Sequence, residues 1–251
     1  MKPQTQTHIL RHITIENTIL HVTYMIRTLF LCLLLSCFAL LTAIPPTNAY
    51  AQSEHAVQIA RIKYGGGGDW YSDDQSLVEL LRFTREQTLI DVAPREEVVE
   101  LGSDKVFTYP YLYLTGHGNV RFNTNEAQRL RRYLEGGGFL HIDDNYGLDR
   151  HIRREMKKVF PDKEFVEIPF NHPIFHTHYE FPNGLPKIHE HDGQSPQGFG
   201  LFDEDRLIVF YSFESDLGDG WEPKAVHNVP DAKRLSALRM GVNILAFAMM
   251  H

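Results

Sequence analysis

The chain has 251 residues, 43% of them hydrophobic and 23% charged. That is an ordinary globular composition with room for one domain and a real core, unlike a disordered, collagen-like or disulfide-rich chain. The formal net charge is −7, and no Lys/Arg run forms a stripe, so the electrostatic footprint of a nucleic-acid binder is missing.

The first 51 residues read as a leader. Residues 28–44 carry no charge and almost no polar side chains, directly after Met25-Ile26-Arg27. Arg27 supplies a positive n-region, residues 29–41 an apolar h-region, and Ala49-Tyr50-Ala51 a small-x-small cleavage site before Gln52. A signal peptide over 25–51 places the true start at Met25 and the mature domain at 53–251, exported to the periplasm or the outside. The alternative is an uncleaved membrane anchor, since seventeen apolar residues just span a bilayer. Both cysteines, Cys32 and Cys37, lie in the leader, so the mature chain has no disulfide or thiol chemistry. Lys2, Arg11, Arg27 and Glu16 leave with it, and the 22 basic and 31 acidic residues that remain make the mature protein acidic.

Beyond the leader, residues 57–64 alternate apolar and polar side chains, then Gly65-Gly66-Gly67-Gly68 breaks the pattern. Leu77, Leu80 and Leu81 recur at helical spacing after Ser72-Asp73-Asp74. Strands are expected at 98–101 and 109–115, the second ending in Thr115-Gly116-His117-Gly118. Asn123 stands three residues before Glu126, a capping-box pattern that opens a helix to about Glu135, stopped by Gly136-Gly137-Gly138. Residues 139–142 form a strand leading into Asp143-Asp144-Asn145-Tyr146-Gly147, and 148–160 an amphipathic helix with Ile152, Met156 and Val159 inward. A strand at 165–168 precedes a Pro-, Gly- and His-rich segment, 171–200, read as long loops with short strands. A strand at 207–213, a loop at 215–230 and a closing helix at 232–250 complete the chain. Strand-helix alternation predicts an α/β fold with a mostly parallel sheet flanked by helices.

In such a sheet ligands collect at the carboxyl ends of the strands. Three marked loops follow predicted strands and are expected on one rim, which makes Gly67, Asp69, Trp70, Tyr71, His117, Asp143, Asp144 and Tyr146 the candidate ligand-binding residues. Asp143, Asp144 and His117 are the catalytic candidates. A phosphate cradle at the glycines is disfavoured, because no Lys-Ser or Lys-Thr pair follows and Asp69 repels an anion. Asp143 and Asp144 point to opposite faces while the strand lasts and so cannot act as an acid/base pair there. Trp70, Tyr71, Tyr146 and Trp221 are candidate stacking platforms for sugar rings; packing under loops explains each equally well. His176 and His178 share a face on an extended strand, as do His189 and His191. Either pair, with Asp192, Asp143 or His117, offers a ligand set for zinc or manganese, although loop histidines commonly cap turns or sit in water.

The segment Gly136-Gly137-Gly138-Phe139-Leu140-His141-Ile142-Asp143 resembles the strand and elbow of class I glutamine amidotransferase-like domains, a flavodoxin-like fold. Asp143 stands at the position that the resemblance assigns to a nucleophilic cysteine, and a carboxylate does not replace a thiolate, so glutaminase activity is not implied. His172-Pro173-Ile174, Gly184-Leu185-Pro186 and His189-Glu190-His191-Asp192 follow in the order of the ThuA-like branch of that fold. With Lys63-Tyr64-Gly65-Gly66-Gly67-Gly68-Asp69-Trp70-Tyr71 and Leu114-Thr115-Gly116-His117-Gly118, the mature chain over 57–251 resembles the bacterial domain-of-unknown-function 4159 family. That resemblance implies an exported or membrane-tethered domain working near MoxR-type ATPases and von Willebrand A proteins. Three functions are carried forward: binding of a small polar or carbohydrate ligand at the rim, metal-assisted hydrolysis with zinc or manganese, and an envelope scaffold with protein partners.

Overall fold

The structure is a computed structural model that describes residues 56–191 and 193–251, together with Met25, Arg27 and Leu29. The cleavage site, both cysteines and Asp192 lie outside the described residues. The chain divides into two units, 1–51 and 52–251, and the fold below is that of the second. Among the described residues no helix is long and apolar enough to cross a membrane.

Seven strands form one sheet: β1 (Ala60–Lys63), β2 (Glu97–Glu100), β3 (Tyr111–Leu114), β4 (Phe139–Asp143), β5 (Val166–Glu167), β6 (Gln197–Asp203) and β7 (Arg206–Phe213). Their order is β2-β1-β3-β4-β7-β6-β5. The first five in that order run parallel, and β6 and β5 add an antiparallel edge. The expected mostly parallel α/β sheet is therefore present.

Alternation along each strand feeds two cores. In β3, Leu112 and Leu114 face Leu130 and Tyr133 of α2 (Thr124–Glu135) and Ile152, Met156 and Val159 of α3 (Asp149–Val159), with α1 (Ser76–Gln87) on the other side of the sheet. Tyr111 and Tyr113 turn to that other side, where Leu77, Leu80 and Leu81 of α1 meet the C-terminal helices α4 (Leu217–Trp221) and α6 (Asp231–Met250). The short α5 (Lys224–His227) lies between α4 and α6 in the chain. Each fully buried Leu, Ile or Phe contributes roughly 1.5–3 kcal/mol. The capping box is formed: Asn123 Oδ1 accepts from the Glu126 amide at 3.0 Å, and Glu126 Oε2 accepts from the Asn123 amide at 2.7 Å.

Three features depart from the sequence expectations. Residues 197–203 form β6, the main antiparallel partner of β7, a seven-residue strand where 171–200 reads as long loops with short strands; Gly198 and Gly200 interrupt the apolar pattern that would have marked it. Residues 215–230, read as loop, contain α4 and α5. Trp221 is no sugar platform: it is fully buried, and its indole N–H donates to the Ala237 carbonyl at 2.8 Å. In addition, α3 gathers Arg150, Arg153, Arg154, Lys157 and Lys158 at helical spacing, yet Arg153 pairs with Asp149, Arg154 and Lys158 with the buried Glu155, and Lys157 with Glu164.

The seating of α4 depends on Gly241 in α6. A Cβ there would stand 2.6 Å from Leu80 Cδ1 and 2.9 Å from Trp221 Cε2, and Trp221 is pinned by its own hydrogen bond. Gly241→Ala is expected to lower unfolding free energy by about 1–3 kcal/mol in urea titrations, as overpacking of a filled core does. An unchanged midpoint would show that α6 shifts freely.

Candidate functional site

Because β2 lies on one side of β1 and β3 on the other, the chain reverses direction across the sheet at β1/β3, the usual place for a ligand crevice. Here two loops fill it. Asp69 accepts from the His117 amide through Oδ1 and meets His117 Nδ1 at 3.1 Å through Oδ2. Gly68 donates to the Asn119 carbonyl at 3.0 Å, Arg121 to the Gly65 carbonyl at 2.8 Å, and Asn119 Nδ2 to the Gly66 carbonyl at 3.0 Å. Gly116, at φ 129°, makes the closure possible, since a Cβ there would lie 2.8 Å from the Asp69 carbonyl oxygen. Asp69 and His117 thus belong to a clasp between loops, and Gly67, exposed at φ 90°, lies within the turn it holds. Trp70 is half-buried against the core and meets the exposed Tyr71 edge to face at 5.6 Å.

At the end of β4, Asp143 is fully buried and accepts four hydrogen bonds. Oδ1 takes Ser212 Oγ at 2.6 Å and the Leu217 amide at 3.2 Å; Oδ2 takes the Gly218 amide at 2.6 Å and the Tyr113 hydroxyl at 3.2 Å. Donor directions follow from this. Ser212 gives its proton to Asp143, so His141 Nε2, 3.0 Å away, donates to Ser212 Oγ, and His141 Nδ1 accepts from Tyr111 at 2.8 Å. Burial pushes His141 down to about 3, which keeps the imidazole neutral as that order of donors requires. Burial, with the charge of Asp216, pushes Asp143 up to about 7. Asp143 therefore anchors the segment after β7 and does not face a ligand.

Asp144 turns to the opposite side, as neighbours on a strand must. The Tyr211 hydroxyl donates to its Oδ1 at 2.9 Å and the Glu214 amide to its Oδ2 at 2.9 Å. Burial raises it to about 6. It forms the floor of a cavity of about 350 Å³, with Tyr146, Gly147, Asp149, Arg150, His191, Phe213 and Glu214 as walls. Tyr146 is exposed and meets His191 edge to face at 6.2 Å.

Beside this cavity lies a cluster that sequence reading only half found. The buried Arg61 of β1 fixes the loop before α1 by donating to the Ser72 carbonyl at 2.6 Å and the Asp73 carbonyl at 3.0 Å. Asp73, Glu214 and Asp216 all hold left-handed backbone, with φ of 54°, 56° and 56°, a conformation that costs non-glycine residues energy and concentrates at functional sites. His191 Nε2 meets Asp216 Oδ2 at 2.9 Å, while His189 Nδ1 meets Asp219 Oδ2 closely and Asp216 Oδ2 at 3.4 Å. His227 Nε2 stands 3.3 Å from Asp219 Oδ1 and 3.6 Å from Asp73 Oδ1. Burial works against Asp216's charge, but hydrogen bonds from His189 and His191 outweigh it and hold that acid at about 2. Burial, then the charges of Asp216 and Asp73, push Asp219 up to about 10. His191 stays above its usual range: burial opposes its charge, and the hydrogen bond to Asp216 with nearby Asp144 and Glu214 prevails.

Of the two histidine pairs, only His189 and His191 join the carboxylates. His176 is bound to Glu180 and the Phe170 carbonyl, and His178 donates its backbone amide to Asn243, so neither belongs to a described metal-capable group. Asp73, Asp216, Asp219 and His227 were not singled out. The run Asp216-Leu217-Gly218-Asp219-Gly220 directly after the strongest strand is the signal that marks them.

A family model described as a domain of unknown function, DUF4159, matches residues 58–249. The chain belongs to the DUF4159 family. The match runs from just before β1 to the last turn of α6, so the clasp, the Asp143 anchor, the cavity and the His/Asp cluster all fall within the DUF4159 domain. No curated protein matches the chain.

The anchor role of Asp143 is testable through pH and substitution. In Asp143→Asn the amide that replaces Oδ2 faces the Gly218 N–H with a donor, and about 2 kcal/mol of stability is expected to be lost. An acid raised by folding from about 4 to about 7 adds stability that is complete below the unfolded value and lost as pH rises through the folded one. The metal-free wild type should therefore lose thermal stability between pH 5 and 8 more steeply than the Asn variant. Parallel curves would remove Asp143 as the source.

Proposed function

We propose that this DUF4159 domain is an exported binding module for a small polar ligand of the carbohydrate class, held in the cavity at the ends of β4 and β7. The observation that carries the reading is the wall chemistry of that cavity. Asp144 and Asp149 offer carboxylate oxygens, Arg150 a fork of donors, and Tyr146 and Phe213 ring surface, within a volume in the range of small-molecule sites. Hydroxyl-rich rings are matched by such alternation of acceptors and aromatic faces.

Its place in the fold supports the same reading. The parallel strands in the order β2-β1-β3-β4-β7 reproduce the flavodoxin-like 2-1-3-4-5 sequence, which favours the amidotransferase-like assignment. In that assignment Asp143 occupies the nucleophile position, where its four hydrogen bonds make it an anchor. With the β1/β3 crevice clasped shut, the opening lies between β4 and β7. The leader pattern over 25–51 favours export, and cell-envelope glycans are the ligand class within reach of an exported domain.

Asp144 is the groove's central acceptor, surrounded by Tyr211 of β7, Asp149 of α3, and His191 and Glu214 on the adjoining loops. Its carboxylate accepts a ligand hydroxyl more strongly when ionised than as the neutral acid. Screening a panel of envelope glycans and then titrating the best binder should show affinity rising from pH 5 to pH 7.5, because Asp144 ionises near 6. Asp144→Asn should flatten that rise, and Tyr146→Ala should weaken binding by about tenfold, the loss of one aromatic contact. A chain that responds to no glycan and captures only envelope proteins contradicts the proposal and favours the scaffold.

A further inference from the structure

We propose that Asp73, Asp219 and His227 form a zinc site, separate from the ligand cavity and contributed by the loop before α1, α4 and α5. His227 Nε2 lies 3.3 Å from Asp219 Oδ1 and 3.6 Å from Asp73 Oδ1, yet it makes no hydrogen bond, although the atom is shielded from solvent. Zinc bonds of about 2.0–2.1 Å arranged tetrahedrally set ligand atoms about 3.3 Å apart. The imidazole nitrogen is therefore spaced from both carboxylates as a co-ligand of one ion, and the three groups place a ligand atom each within 4.8 Å of the others.

The remaining oxygens of the two carboxylates are already supported in the way ligating groups are. Asn145 Nδ2 donates to Asp73 Oδ2 at 3.2 Å, and His189 Nδ1 is bonded to Asp219 Oδ2. Each acid turns its other oxygen toward His227. Three protein ligands leave a fourth position for water, the pattern of an open site.

A second observation also points to a cation. Asp216, with its side chain only 5% exposed, stands within hydrogen-bonding range of Asp219, and no fixed donor reaches its Oδ1. Asp73, Asp216 and Asp219 bring three carboxylates together, and among the described residues no lysine or arginine pairs with any of them; histidines are their only cationic partners. Arg61 approaches Asp73 only through its main-chain carbonyl. A divalent ion adds positive charge to a group whose only cationic partners are histidines. Mixed imidazole and carboxylate donors at tetrahedral spacing favour zinc over magnesium or calcium, which take all-oxygen shells.

The test uses the full chain, carrying no histidine tag, stripped with chelator and titrated with zinc chloride by calorimetry; cobalt chloride reports coordination by visible absorption. One equivalent of zinc should bind, and cobalt should give the intense bands of a tetrahedral site. His227→Ala and Asp73→Asn should each weaken zinc binding at least about 100-fold and abolish the cobalt spectrum. Asn145→Ala, which removes only an outer support, should cost roughly tenfold. His176→Ala/His178→Ala is the control for adventitious binding and should match the wild type. His227 lies on the short surface helix α5, and near-UV circular dichroism verifies that its variant stays folded. Absence of saturable binding in the wild type, or equal binding by folded His227→Ala, overturns the site. Glycan binding plays no part in either readout, so this result and the ligand proposal fail independently.

Discussion

The carboxylate of Asp143 connects the sheet to the segment that carries the His/Asp cluster. Two of its four hydrogen bonds come from side chains of the neighbouring strands, Tyr113 of β3 and Ser212 of β7, and two from the backbone amides that begin α4. A side-chain acceptor at the start of α4 satisfies donors that no helical carbonyl can reach. Because α4 carries Asp219 and Trp221, this one group fixes both the acidic cluster and the packing of α6 against α1. The ordered chain of donors from Tyr111 through His141 and Ser212 leaves Asp143 no alternative orientation.

The anchor also explains the division of labour between the adjacent acids. Strand geometry sends Asp143 into the sheet-helix interior and Asp144 toward the loop side, where Tyr211 and the Glu214 amide hold it at the base of a cavity. Both are raised by burial, for different ends: the first closes a joint, the second presents an acceptor that ionises near neutrality. Left-handed backbone at Asp73, Glu214 and Asp216 is tolerated because hydrogen bonds with Arg61, Asp144 and the two histidines fix the segments around it: Arg61 donates to the Asp73 carbonyl, and Asp144 accepts from the Glu214 amide.

Much of this was legible in the sequence, where local signals agree with the fold. The capping box at Asn123, the inward stripe Ile152, Met156 and Val159, and the strand leading into Asp143 are all short-range patterns with one physical reading. The rim loops could be placed because parallel sheets deliver their carboxyl ends to one side. What sequence could not supply was long-range pairing. Asp143 is saturated by amides more than seventy positions away, and Asp219 meets Asp73 and His227 only once α1, α4 and α5 are assembled. The β6 strand was masked by Gly198 and Gly200, and the sequence left Trp221 open between a stacking platform and a packed aromatic because nothing local reveals Gly241 beneath it.

Native-state hydrogen exchange at the Leu217 and Gly218 amides tests the central claim most directly. Donors locked onto a buried carboxylate exchange only when the domain opens, so both amides should be protected to nearly the level of the β4 and β7 strand amides. In Asp143→Asn the Gly218 amide should lose that protection while the strands keep theirs. Rapid exchange at both positions in the wild type would contradict the account, because the segment carrying Asp219 would then move independently of the sheet.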